Sequence, residues 1–121
     1  MTASAPSVSA PYSQADLRVG TGADAVTGSQ ASVNYTGWLY DSTRADFKGL
    51  RFDTSVGKQV FSFTLGTNQV IQGWDQGVPG MKVGGLRRLV IPPSLGYGAT
   101  RSGAIPPNAT LLFEIELVSV P

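Results

Sequence analysis

Apolar and polar residues alternate in short runs from Leu17 onward. SVNYTGWLY (32–40) sets Val33, Tyr35 and later Leu39 against smaller or polar neighbours, and FSFTL (61–65) does the same with Phe61, Phe63 and Leu65; LRRLVI (86–91) and LLFEIELVSV (111–120) continue the pattern. A period of two puts one face of each run in a core and the other in water, so half-buried, antiparallel strands are expected. GTGAD, MKVGG, IPPSLGYG and IPPNA separate the runs and carry the Gly or Pro that a chain reversal needs. No internal repeat is present.

Helical spacing occurs in one segment, TNQVIQGWDQGV, through Val70, Ile71, Trp74 and Val78. Thr67 or Asn68 is expected to cap its start, and Gly77 suits its end. At under three turns, with Gly73 inside, this helix would be marginal alone and must be held by packing. It is therefore placed against the concave face of a strongly curved sheet, with its glycines allowing close backbone approach. The pattern as a whole predicts an α+β domain, one short helix wrapped by strands.

Residues 1–15 (MTASAPSVSAPYSQA) are rich in Ala, Ser and Pro and are expected to be a flexible tail, leaving 16–121 as the domain. The tail lacks the apolar core of a signal peptide; as a stretch following a removed signal it would favour an exported, periplasmic setting in a bacterium over a cytoplasmic one. No apolar run approaches the ~20 residues of a membrane span. The 121 residues suit one core, and nine Lys plus Arg against eight Asp plus Glu leave +1, with the basic residues scattered. No nucleic-acid or membrane partner is expected.

The chain has no cysteine and no histidine. That excludes disulfides, thiolate nucleophiles, cysteine-ligated metals, Ser-His triads and imidazole bases or metal ligands. Remaining chemistry falls to carboxylates, tyrosines, lysines, backbone groups and the dryness of a pocket. VGTGADA (19–25) fits the spacing of a dinucleotide-binding turn, but Gly28 interrupts the helix that must follow, and a hairpin turn is the preferred reading. Glu114 and Glu116 share a strand face and suggest a two-carboxylate hydrolase, although alternation with Phe113, Ile115 and Leu117 makes them the solvated face. Asn34 and Asn108 match the glycosylation sequon, a pattern common by chance.

Tyr35, Phe52, Phe61, Phe63, Trp74, Tyr97 and Phe113 come from different elements. Singly, each reads as core. Together they have unusual neighbours: Asp53 directly after Phe52, Ile71 at a helix start with its N–H free of intrahelical partners, and Tyr97 in a Gly-Tyr-Gly loop. Such a set describes an apolar pocket with a few fixed polar groups.

The ordered series VNYTGWL, FDTS, FSFTLG, VIQGWDQGVPGMKVGG, RRLVIPPSLGYGAT and IPPNATLLFEIELVSV resembles the FKBP-type peptidyl-prolyl cis-trans isomerases over residues 17–120. The resemblance implies a curved antiparallel sheet of about five strands wrapped around one short helix, and a monomeric, cofactor-free rotamase acting on proline-containing peptides and unfolded or partly folded proteins. It implies Trp74 as the floor for a substrate proline, with Tyr35, Phe61, Val70 and Phe113 as walls. Phe52 and Asp53 would supply an apolar edge and a carboxylate near the reacting amide, with Tyr35 beside them. The Ile71 N–H and the Tyr97 hydroxyl would donate hydrogen bonds to substrate carbonyls, and Ala104 and Ile105 would close one side. Binding of tacrolimus- or rapamycin-type macrolides is implied as well.

Three departures from the family pattern touch the rim. DSTRADFKGLR (41–51) is a longer loop than in small members; GATRSGAIPP is about a residue short and lacks a histidine that some members carry; and Ala104 stands where a larger aliphatic is frequent. The short loop leaves no room for an inserted chaperone domain. The rival expectation is a module that binds proline segments without useful turnover; retention of Tyr97, Asp53 and Trp74 speaks for the enzyme.

Overall fold

The structure, a computed structural model, describes residues 10–120. Six strands form one antiparallel sheet: β1 (Ser13–Arg18), β2 (Gln30–Tyr40), β3 (Lys48–Thr54), β4 (Phe61–Thr64), β5 (Leu86–Ile91) and β6 (Leu111–Ser119), in the order β1-β5-β6-β2-β3 with β4 also on β2. One α-helix, α1 (Gln72–Gly77), and a 3-10 turn at Pro93–Leu95 complete the regular structure. None of the helices among the described residues is long and apolar enough to cross a membrane.

Length makes β2 the organiser. Its 11 residues pair with β6 along one edge, while the other edge is shared: Gln30–Val33 oppose β4 and Thr36–Tyr40 oppose β3. At the changeover Ser55 N–H donates to the Tyr35 carbonyl (2.9 Å), and Tyr35 N–H donates to Ser55 Oγ (2.8 Å). The backbone of Tyr35 is thereby satisfied where one partner strand ends and the next has not begun.

The alternating runs form strands as expected, with Val33, Phe63, Leu65, Leu89, Ile91, Leu111, Ile115 and Leu117 buried on one side. Each such side chain contributes about 1.5–3 kcal/mol relative to exposure. The sheet has six strands, in keeping with the expected curved sheet of about five. Of the two strands that alternation did not signal, β1 is exposed along its whole length and held at the edge by β5 and by Asp16, whose carboxylate accepts from Arg87 at 2.7 Å. The expected tail boundary moves accordingly: Ser13, Gln14 and Ala15 pair with Val90, Leu89 and Arg88, and residues 1–9 lie outside the described residues. The other, β3, carries two register shifts against β2 that break its period. The expected 41–51 loop is thus a turn over 41–47, stabilised by the Asp41 N–H bond to the Phe47 carbonyl (2.9 Å) and by stacked Tyr40 and Phe47 rings, followed by strand from Lys48.

GTGAD makes no hairpin between β1 and β2, because β1 pairs with β5 instead. The stretch runs beside Met81–Val83 through bonds such as Ala25 N–H to the Met81 carbonyl (2.8 Å). Close approach does explain the helix glycines. A Cβ on Gly73 would lie 2.6 Å from Ile91 Cδ1, and one on Gly77 would lie 2.7 Å from Leu89 Cδ2, so α1 sits directly on β5. Buried Arg87 completes this junction by donating from Nη1 to the Gly77 carbonyl (2.7 Å), a cation at a helix C-terminus.

The helix is shorter than its spacing suggested. Ile71 is the N-cap, with no side-chain cap, and neither Thr67 nor Asn68 serves. Asn68 instead has φ 62°, and its N–H donates to the Asp75 carboxylate (2.9 Å), which draws residues 66–70 into a turn ahead of the helix.

Candidate functional site

Between α1, the β3 and β4 edge of β2, the end of β6 and the loop after β5 lies a hollow of about 180 Å³. It is lined by Tyr35, Phe52, Asp53, Phe61, Gln69, Val70, Ile71, Trp74, Tyr97 and Phe113. Nine of these are the residues singled out from the sequence; Gln69 is the addition. Its position beside Val70 was the available signal, but a glutamine in a turn carries none of its own.

Trp74 is 4% exposed and sits inside a cage of rings: Tyr35 at 5.1 Å, Phe113 at 5.2 Å, Phe63 at 5.6 Å and Phe61 at 6.0 Å between centroids. Tyr35, Phe61 and Phe113 cross the indole at 78°, 78° and 87°, the edge-to-face arrangement that the ring quadrupole favours. Its Nε1–H is buried without a hydrogen-bond partner among the described residues, and perpendicular rings allow such an N–H to meet a π face. Phe63 belongs beneath this floor rather than in the lining, being buried in the core. Phe52 meets Phe113 edge-on at 5.5 Å on the opposite side.

The polar groups are few and mostly fixed. The Tyr35 hydroxyl donates to Asp53 Oδ2 at 2.6 Å, and Thr54 N–H donates to Asp53 Oδ1 at 2.8 Å, so the carboxylate is held from both ends. Partial burial pushes the Tyr35 phenol well above its ordinary value, with the Asp53 hydrogen bond and charge adding to the effect. Tyr97 is raised too, by burial first and the Asp53 charge second. Both therefore remain protonated donors at neutral pH. The Tyr97 loop is set by Gly98, at φ 61°, whose N–H donates to the Pro93 carbonyl (2.9 Å) and whose carbonyl accepts from Asn108 N–H (2.7 Å).

Ile71 has extended backbone (φ −61°, ψ 153°) and turns its carbonyl to Trp74 N–H at 3.0 Å. Among the described residues its own N–H has no acceptor. Ala104 and Ile105 do not line this hollow; they line an adjoining one with Ser102 and Gly103, joined to the first by shared Phe52, Asp53 and Tyr97. The site is one depression with two lobes.

Glu114 and Glu116 stand elsewhere, on the outer side of the sheet. Glu114 pairs with Lys48 (3.1 Å) and Arg88 (3.2 Å), and Glu116 with Arg18 (3.2 Å), so both are neutralised structural carboxylates. Asn34 is in β2 and Asn108, at φ 60°, is in a turn.

The profile of the FKBP-type peptidyl-prolyl cis-trans isomerases matches residues 22–118. An FK506-binding protein of Neisseria meningitidis serogroup A is 50% identical over 107 residues, covering 87% of this chain and 92% of that protein. FK506-binding protein 1 of Aspergillus oryzae is 41% identical over 105 residues, covering 84% and 90%. The crystal structure of AtFKBP13 superposes with a TM-score of 0.77 at 36% identity, over 95% of this chain and 98% of that one. Sequence, strand order and the aromatic hollow agree: the chain belongs to the FKBP-type peptidyl-prolyl cis-trans isomerases, enzymes that speed rotation about Xaa-Pro peptide bonds.

Proposed function

We propose that rotation takes place in the two-lobed hollow, with the substrate proline ring on Trp74 between Tyr35, Phe61, Val70 and Phe113. The residue before proline then lies towards Phe52, Ala104 and Ile105. The observation that carries this reading is convergence: an apolar floor, a free Ile71 N–H, a Tyr97 hydroxyl with no protein partner among the described residues, and a fixed carboxylate line one depression.

The uncatalysed barrier of ~18–20 kcal/mol comes from amide resonance, and rotation takes tens to hundreds of seconds. No covalent bond breaks, so a chain without histidine or cysteine lacks nothing the reaction needs. The planar amide is the more polar state. Moving it from water onto rings disfavours it more than the twisted amide, and each ~1.4 kcal/mol of that difference is tenfold in rate. Ile71 N–H and the Tyr97 hydroxyl hold the flanking carbonyls, so that one side of the bond stays fixed while the other turns. Asp53, held by Tyr35 and Thr54, sets the field beside the rotating carbonyl.

All these groups come from one chain, which supports action as a monomer on exposed Xaa-Pro bonds of peptides and unfolded proteins. Relatives named FK506-binding proteins, together with the caged Trp74, support binding of tacrolimus- or rapamycin-type macrolides in the same hollow. The test is isomerisation of a Leu-Pro tetrapeptide with and without the protein. Acceleration at micromolar enzyme or below is expected; peptide binding that quenches Trp74 fluorescence without acceleration would make the hollow a recognition site only.

A further inference from the structure

Asp75 follows Trp74 in the first turn of α1, and its side chain reaches back across the helix start. One carboxylate oxygen accepts from Gly66 N–H and the other from Asn68 N–H, each at 2.9 Å. Both oxygens are thus committed to the loop that leads into the pocket wall. That loop is otherwise conformationally awkward: Gly66 has φ 78°, and Asn68 occupies the left-handed region at φ 62°. Two further bonds tie it to β4, Gln69 Oε1 accepting from Thr64 N–H (2.9 Å) and the Thr67 hydroxyl donating to the Thr64 carbonyl (2.9 Å). Three residues beyond Asn68 stands Ile71, the helix N-cap that lacks any side-chain cap. No side chain at the helix terminus caps the entering chain; Asp75 holds it from within the first turn.

Charge strengthens the arrangement, because hydrogen bonds from N–H groups to a carboxylate are roughly twice as strong as neutral ones. A negative charge in the first turn is also favoured by the helix dipole. We infer that Asp75 is a positioning residue of the isomerase, clamping residues 66–71 so that the Val70 side chain and the Ile71 N–H meet the substrate. This role rests on the reading of Ile71 as a substrate donor.

Asp75→Asn keeps the size and loses the charge, and it turns an NH₂ group towards one of the two donors. Asp75→Ser, shorter and neutral, reaches neither. With a Leu-Pro tetrapeptide, well below each variant's own unfolding midpoint, both should lose about tenfold in kcat/KM, equivalent to ~1.4 kcal/mol. Asp75→Glu, which keeps two carboxylate oxygens, should recover most of the loss. In ¹H–¹⁵N spectra the amides of Gly66, Asn68 and Ile71 should move while those of β5 and β6 stay. A purely structural aspartate would lower the midpoint and leave kcat/KM within about twofold; that result, or a loss in Asp75→Glu as large as in Asp75→Asn, overturns the role. Titrating the wild-type protein with the same peptide separates the two layers. No shift at the Ile71 amide overturns the substrate-donor reading and Asp75's role with it, whereas a clear shift alongside unimpaired Asp75→Asn overturns the role alone.

Discussion

Replacing Gly73 by alanine sets two familiar effects against each other. Inside a helix, alanine is favoured over glycine by about 0.8–1 kcal/mol, so propensity alone calls the change stabilising. At position 73, however, the new Cβ would stand 2.6 Å from Ile91 Cδ1 and 2.7 Å from both Cγ1 and Cγ2. Carbon atoms prefer ~3.5–4.0 Å, so the gap is about 1 Å too small. Ile91 is fully buried, and its β-branch leaves few rotamers to retreat into. Overpacking of this kind costs about 1–3 kcal/mol; three contacts this short place it in the upper half of that range, and less the helix gain a net loss of about 1–2 kcal/mol is expected. Relief of the clash lifts α1 off β5 and moves Trp74, the next residue, so kcat/KM for a Leu-Pro peptide should fall as well. A double-mutant cycle with Ile91→Ala isolates the cause, because that change removes all three clashing atoms. Ile91→Ala itself costs about 2–5 kcal/mol, inside the ~5–15 kcal/mol stability of a domain. In that background Gly73→Ala should become stabilising by about 0.5–1 kcal/mol. Urea unfolding of the four proteins measures the coupling. Additive effects, or a Gly73→Ala protein at least as stable as the parent, would refute the packing explanation.

Other consequences follow from the polar groups and the floor. Tyr35→Phe keeps the ring but removes the 2.6 Å donor to Asp53; stability should change by under ~1 kcal/mol while kcat/KM drops about fivefold to tenfold, and an unchanged rate would free Asp53 from any dependence on Tyr35. Burial raises the phenols of Tyr35, Tyr97 and Tyr12, in the last case against the opposing charge of Arg87. Because the folded state holds these protons more tightly, the associated stability is complete below the unfolded value of ~10 and is lost as pH rises through the folded values. Urea midpoints should therefore fall above pH ~10, less steeply in Tyr35→Phe; parallel profiles for the two proteins would contradict the shift. Trp74→Ala should abolish binding of a rapamycin-type macrolide, measured by calorimetry at a temperature where the variant is folded, and unchanged affinity would remove Trp74 from the site.

The runs that were legible share one property, which is that a buried face imposes its period on the residues. Val33 in β2, Phe63 in β4 and Leu111 to Leu117 in β6 all announce themselves this way, and the less buried Tyr35 and Phe61 keep the same period towards the hollow. No such face exists in β1, exposed throughout, and register shifts scramble it in β3, so neither strand was visible. Hydrogen bonds from afar defeated the helix start. Asn68 looked like a cap because its type suits one, whereas Asp75, seven residues later, claims its N–H for a turn. The pocket aromatics were readable because each stood beside something a plain core would not need. How the hollow divides depends on where the 102–105 loop lies, and no periodicity encodes that.

The shared edge of β2 bears on how this scaffold can be altered. Phe52 and Asp53 on β3 and Phe61 on β4 keep their separation because each strand is indexed to its own part of β2, Thr54 opposite Thr36 and Phe61 opposite Val33. The connecting residues 55–60 set none of that spacing beyond Ser55, and Gly57 at their tip is exposed, with open space around it. Loop-closure entropy grows only slowly with length, by about 0.6 kcal/mol per doubling. A foreign segment grafted at Gly57 should thus be accommodated at little cost in stability, leaving the ring cage untouched. The double-sided ladder frees the 55–60 connection from the task of spacing the site, so its length and sequence can change without moving Phe52, Asp53 or Phe61.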